Sequence, residues 1–230
     1  MDDPASRRGR PRNAESAREA ILDGAEKVFA EHGFDGARID AIAAASGYNK
    51  SLIFQYFDDK LGLYAEVIRR ADDQTREMQN EALRGLNEGP QSTEQLRALL
   101  GSFIGWYFDY LVANPQVLRI FVWEMAEGWQ TFSKIVSQRD FDDVDQFAPA
   151  LEKVQRAGLL RSDIDPFLQI LPAVFACHSY LSILPLFKTM MPGSDFSSSM
   201  ALERARAYVV DFVIHGLLTD RPSGGEIISS

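Results

Sequence analysis

The chain is poor in the residues that carry most covalent and metal chemistry. Its 230 residues include one cysteine, Cys177, and three histidines, His32, His178 and His215. A single thiol excludes an intramolecular disulfide and suits a reducing, cytoplasmic setting. Cys177 lies in an apolar segment, which favours a buried structural thiol over a reactive one. The histidines are far apart and no Cys/His metal spacing occurs, so neither a metal nor a cofactor is expected. G-x-S-x-G, H-E-x-x-H and G-x-x-x-x-G-K are absent too, which leaves an enzyme reading without a motif. The start is charged but has no apolar core, so no signal peptide is predicted.

Positive charge is scarce as well. Lys and Arg number 24 against 33 Asp and Glu, a net charge of −9, and an acidic body repels a polyanion. The shortage is uneven. Arg7, Arg8, Arg10, Arg12 and Arg18 cluster near the start, opposed there by Asp2, Asp3 and Glu15. Basic charge focused at one end can dock that end on DNA. Residues 1–13 have R-R-G-R-P-R at their centre and no periodic apolar positions, and read as a disordered basic arm. Such an arm either threads a narrow minor groove or is a solvated, solubilising tail.

What is present in quantity is apolar. At 46% hydrophobic and 25% charged, the chain has material for one large core or two modest ones. Its most informative stretch is residues 39–57, IDAIAAASGYNKSLIFQYF. It reads as two short helices joined by a tight turn, with Ala43, Gly47 and Ile53 at helix-turn-helix spacing. Ala43 is small enough for a close crossing, Gly47 takes the positive φ of the turn, and Ile53 points into the core. Asn49 suits the N-cap of the second helix. Upstream, with Asn13 or Ser16 as cap, Ile21, Leu22, Ala25, Val28 and Phe29 form the stripe of a first helix ending at Gly33. Downstream, Asp58 or Asp59 caps a fourth helix with Leu61, Tyr64, Val67, Ile68 and Ala71 inward.

The run G-F-x-G-x-x-I-x-x-I-A-x-x-x-G-Y-N-K-S-L-I-F-Q-Y-F-x-D-K-x-x-L resembles the N-terminal domain of TetR-family transcriptional regulators over about residues 15–68. The resemblance implies an all-α fold: a three-helix, helix-turn-helix DNA-binding domain followed by a larger helical bundle that dimerises and binds a small molecule. It also implies roles for matched positions. Asn49, Lys50 and Ser51 take the exposed start of the recognition helix, facing base edges and phosphates. Gln55 and Tyr56 fall where the family touches backbone or bases, and Lys60 at its phosphate-contacting lysine. Phe54 and Phe57 are expected in the core. Two departures make this reading face its own. Ala37 and Arg38 replace the usual hydroxyl residues that open the second helix, leaving Arg38 to grip a phosphate. Leu52 replaces a small or hydroxylated residue and suits a thymine methyl or packing.

Beyond residue 74 the reading rests on periodicity. Residues 77–91 look like a connection. Leu96, Leu99, Leu100, Phe103, Trp106, Tyr107, Tyr110 and Leu111 mark a long amphipathic helix, and Asn114-Pro115 starts another with Val117, Ile120, Phe121, Glu124 and Met125 on one face. Val144, Phe147, Leu151 and Val154 mark a further helix closing at Gly158. Asp165-Pro166 launches an uncharged helix, with a kink at Pro172, and Pro185 with Pro192 and Gly193 bring the chain out. Residues 167–187 are long enough to span a membrane, but Gln169, Pro172, His178, Ser179 and Pro185 interrupt them and no basic cluster brackets them. A helix buried inside an oligomer is the expected reading, with no membrane partner. The last helix, about 200–218, has Leu202, Ala205, Val209, Phe212, Val213 and Gly216 on one face. Two helices this apolar imply a four-helix homodimer interface.

Glu124 and His178 each share an apolar face, and a buried ionisable group needs a partner. They either have structural partners or, with Trp106, Tyr110, Phe121 and Phe175, line a pocket for a largely apolar small-molecule effector. The expected division is therefore an arm (1–13), a DNA-binding domain (14–74) and a ligand-binding and dimerisation domain (75–230). The expected function is a dimeric, effector-released repressor on palindromic double-stranded DNA; the alternative is a helical binding module without a regulatory DNA site.

Overall fold

The structure, a computed structural model, describes residues 9–138 and 142–218. Among these residues the regular structure is helical, apart from one isolated bridge between Leu160 and Leu218. Its helices are α1 (Gly9–Gly36), α2 (Ile39–Ser46), α3 (Lys50–Phe57), α4 (Lys60–Glu88), α5 (Thr93–Ala113), α6 (Pro115–Ala126), α7 (Gln130–Gln138), α8 (Asp142–Arg156), α9 (Pro166–Met190) and α10 (Ser199–Leu217). They form two compact units. The first comprises Met1–Thr75 and Pro115–Asp140, the second Arg76–Asn114 and Phe141–Ser230.

In the first unit the α1 stripe is buried as its spacing predicts: Ile21, Leu22, Ala25, Val28 and Phe29. The helix starts upstream of both expected caps, Asn13 and Ser16, and leaves helical geometry at Gly33. Gly24 brings the end of α2 against α1. A Cβ there would sit 2.9 Å from the Ser46 nitrogen, closer than packing allows. Ion pairs then fasten α1 to α4. Arg70 holds Asp23 at 2.6 Å and also Glu26, and Arg18 holds Glu66 while lying 5.4 Å from the Phe57 ring centroid. Arg18, counted in the basic cluster near the start, thus fastens α1 to α4. At the start of α4, the cap is Asp59, whose Oδ1 accepts from the Gly62 N–H at 2.7 Å.

The same unit takes in α6 and α7, which the sequence pattern assigns to the C-terminal domain. Arg119 Nε and Trp123 Nε1 both donate to the Ala30 carbonyl of α1, at 2.9 and 3.3 Å. Glu124, 1% exposed, accepts from the Tyr64 hydroxyl at 2.7 Å and from the Phe132 N–H at 3.1 Å. The second bond supplies α7 with an acceptor in its first turn from outside the local sequence. No Ser, Thr, Asp or Asn precedes that helix, which is why its start is hard to read from the chain.

In the second unit the expected connection at 77–91 is largely helix. Ala82 and Leu86, one turn apart, are buried, and α4 runs on to Glu88 to bury them. The α5 core line is Leu96, Leu100, Ile104, Phe108 and Leu111. It is offset from the predicted one, so that Phe103, Trp106, Tyr107 and Tyr110 flank it half-buried. Arg206 of α10 donates to the Gly105 carbonyl and Asp109 of α5, at 3.1 and 2.8 Å. In α8, Leu151 and Val154 are buried as predicted, and the Val144 side chain lies outside the described residues.

Asp165 caps α9 as predicted, its Oδ1 accepting from the Phe167 and Leu168 N–H groups. The helix runs through Pro185 and ends at Met190, just before Pro192 and Gly193. One side is buried, through Gln169, Ala173, Cys177, His178 and Leu181. The other is not: Leu168 is 56% exposed, and Leu186 and Met190 are exposed with it. In α10, Ala205, Val209, Val213, Ile214 and Leu217 are buried. Phe212, expected inward, is 64% exposed and stacks on the equally exposed Tyr208 at 6.1 Å. The cause is register: Val209 and Val213 take the inward positions, one turn apart, and Phe212 falls outside that stripe.

Candidate nucleic-acid interface

The turn between α2 and α3 is built as its residues dictate. Gly47 adopts φ 77° and ψ 11°, and its N–H donates to the Ala43 carbonyl at 3.0 Å, ending α2. Asn49 is extended and its Oδ1 accepts from the Leu52 N–H at 2.9 Å, starting α3. Ile53 and Phe57 then bury the inner face. Along the rest of the helix, Lys50, Ser51, Phe54 and Gln55 are exposed, while Leu52 and Tyr56 are half-buried. Phe54 corrects the core expectation, being 42% exposed in line with Lys50 and Ser51. The exposed start of α3 therefore combines an ammonium, a hydroxyl, a carboxamide and an aromatic ring, which suits base edges and phosphates together.

The flanking cations differ in availability. Arg38 is exposed at the N-cap of α2 and makes no side-chain cap bond there, as expected from the loss of a hydroxyl residue. Lys50 Nζ lies 2.6 Å from Asp40 Oδ1 in the first turn of α2. Lys60 is half-buried. Its Nζ donates to the Asp35 carbonyl at 3.3 Å and lies 4.6 Å from the Phe34 ring centroid. Burial lowers its pKa, against the raising influence of Asp35 and Glu127. Arg7 and Arg8 lie outside the described residues. The α1 backbone takes in Arg10 and Arg12, within the stretch read as an arm, and their side chains also lie outside the described residues.

The residues expected to line an effector pocket divide between the units. Phe121 and Glu124 belong to the first, Trp106, Tyr110, Phe175 and His178 to the second. Glu124 takes Tyr64 and the Phe132 amide as partners. Burial raises the Tyr64 hydroxyl pKa, and the bond to Glu124 raises it further. Phe121 packs on Trp129 and Phe132 at 6.2 and 6.3 Å.

In the second unit, Trp106 stacks on Tyr110 at 5.5 Å, and Phe175 lies 6.5 Å from the His178 ring. His178 Nδ1 lies 2.9 Å from the Val174 carbonyl and so carries the proton, leaving Nε2 to accept from the Tyr107 hydroxyl at 3.2 Å. Burial lowers the His178 pKa, opposed by the Val174 carbonyl, so the ring is neutral. Tyr107 joins this cluster through His178 and is not in the predicted set. Its only signal in the sequence is its place in the α5 aromatic run. Burial also pushes the neighbouring Cys177 thiol up to about 12. A separate cleft of about 620 Å³ lies between α9 and α10, lined by Leu168, Pro172, Tyr208 and Phe212 among others.

Known proteins share this architecture. Residues 21–67 match the family described as Bacterial regulatory proteins, tetR family, and residues 95–213 match the Tetracyclin repressor-like, C-terminal domain. The chain is 37% identical over 213 residues to the HTH-type transcriptional repressor AcnR of Corynebacterium diphtheriae, covering 90% of this chain and 94% of that one. It is 28% identical to the HTH-type transcriptional repressor SCO4008 of Streptomyces coelicolor, covering 87% and 98%. Among solved structures, transcriptional regulator SCO4942 from Streptomyces coelicolor superposes with a TM-score of 0.57 at 26% identity, covering 90% and 99%. With both family regions matched in order and a full-length relative this similar, the chain belongs to the TetR family of helix-turn-helix transcriptional regulators.

Proposed function

We propose that the protein is a cytoplasmic repressor that binds a palindromic operator as a homodimer and leaves it when a small, largely apolar effector binds. The observation that carries the reading is the solvent-facing start of α3. Lys50, Ser51, Phe54 and Gln55 line one side of a helix held by the Asn49 cap and by Ile53 and Phe57 beneath. Such a helix fits a major groove, with Arg38 beside it for a phosphate. Glu124 is a structural tie in this reading, and the effector site is the α5–α9 cluster of Trp106, Tyr107, Tyr110, Phe175 and His178.

The homodimer is supported by the outward side of α9 and α10. Leu168, Leu186, Met190, Tyr208 and Phe212 are large apolar side chains left exposed on these two helices, the kind of surface that a partner covers. The helix Pro166–Met190 is long and apolar enough to cross a membrane. Its Gln169 and His178 hydrogen-bond within the unit, which favours a second copy of the chain over lipid as the cover. Two α3 helices about one DNA turn apart then read a palindrome, and an effector that favours a different spacing lowers affinity by its differential binding free energy. DNA selection on the purified chain tests this. Enrichment of a palindrome that two protomers occupy is the expected result. Enrichment of no sequence favours a binding module without a DNA site.

A further inference from the structure

Lys50 does not stand alone at the start of α3. Its ammonium lies 2.6 Å from the Asp40 carboxylate, and the two side chains are 51% and 74% exposed. Core packing therefore does not account for the acid. A first-turn aspartate gains little from the helix dipole, and an exposed ion pair little more, being screened by water. Both gains are small. Against them stands the position: an anion beside a helix that must approach a polyanion.

We infer that Asp40 is a specificity-determining residue that acts through Lys50. The inference rests on the reading of α3 as the DNA-reading helix. An ammonium has three N–H donors. With one directed to Asp40, two remain, the number that spans O6 and N7 of a guanine. The pair also changes how Lys50 responds to DNA in general. A free lysine is drawn to any phosphate, and each phosphate neutralised steepens the salt dependence of binding by about 0.9. Lys50 and Asp40 together are neutral and contribute little to that attraction. The carboxylate thus lowers sequence-independent binding while holding a flexible side chain ready for a base edge.

The test compares the full-length wild type with Asp40→Asn, Lys50→Met and the double variant. Fluorescence anisotropy reads binding to a random-sequence duplex pool and to the duplex enriched by the wild type, each across a salt series. Asp40→Asn is expected to bind the pool more tightly with a salt slope steeper by about 0.9. Its preference for the enriched duplex over the pool is expected to fall by about tenfold. In the Lys50→Met background, the Asp40→Asn change leaves that preference unaltered. An unchanged preference in Asp40→Asn, or the same loss in both backgrounds, overturns the inference. A wild type that prefers no duplex overturns the α3 reading and this inference together, an outcome distinct from a selective wild type matched by a selective Asp40→Asn. Both positions are exposed, and thermal melts check that every variant is folded.

Discussion

The two units differ in the surfaces they leave exposed. In the first, polar atoms fasten helices from within: Glu124 joins α4 to α6 and α7, Arg119 and Trp123 share the Ala30 carbonyl, and Arg70 joins α4 to α1. Its exposed α3 face is then largely polar, ready for a polar partner. In the second, α9 and α10 bury a core line but turn Leu168, Tyr208 and Phe212 outward. Hydrogen bonds between distant segments occur in both, as with Arg206 and α5 in the second, but the second also turns large apolar side chains outward. The internal polar ties of the first unit and the outward apolar side chains of the second can each be tested.

The largest expected effect attacks the first half of the comparison. Glu124→Ala leaves the Tyr64 hydroxyl and the Phe132 amide without their acceptor in a buried place, and is expected to destabilise the protein by about 3 kcal/mol in urea unfolding. Tyr64→Phe, which leaves Glu124 its amide partner, is expected to cost about 1 kcal/mol. Equal, small losses in both would break the contrast. Next, Phe212→Asp is expected to weaken self-association by about 2 kcal/mol in sedimentation, with the monomer still folded. Unaltered self-association would show that α10 is not the covered side.

Smaller effects sharpen it. Asn49→Ala removes the α3 cap and is expected to cost about 1 kcal/mol, with faster hydrogen exchange at the Leu52 amide as its local signature. The smallest effect is a pH dependence. Burial holds the His178 pKa below its usual 6.5, so between the folded and unfolded values the unfolded chain binds more protons. Stability from this group is therefore complete above about 6.5 and is lost as pH falls toward the lower folded value. The acid-side loss of melting temperature should be shallower in His178→Gln than in the wild type; equal slopes would remove His178 as its source.

How much of this was legible in the chain varies with the range of the cause. Gly47, Asn49, Ile53 and Phe57 act on neighbours a turn away, and their roles could be read from spacing alone. The family resemblance extended that to the fold. The continuation of α4 was hidden because residues 77–91 look like a linker, while Ala82 and Leu86 form a stripe only against their tertiary partners. Phe54 and Phe212 were misplaced because each sits one position from a buried residue, Ile53 or Val213, at the edge of the buried stripe, where spacing alone does not decide the side. Glu124 was correctly read as buried and in need of a partner. That the partner is Tyr64 follows from the fold, not from the local sequence.

Because α6 and α7 belong with the N-terminal helices, the chain passes between the two units three times, near residues 75, 115 and 140. The DNA-reading part is therefore not a cassette. A fragment ending at Thr75 would keep every residue of the helix-turn-helix motif and lose Glu124, Arg119 and Trp123. Chimeras that graft this head onto another bundle must carry residues 115–140 with it, or they exchange a built domain for an unbraced one.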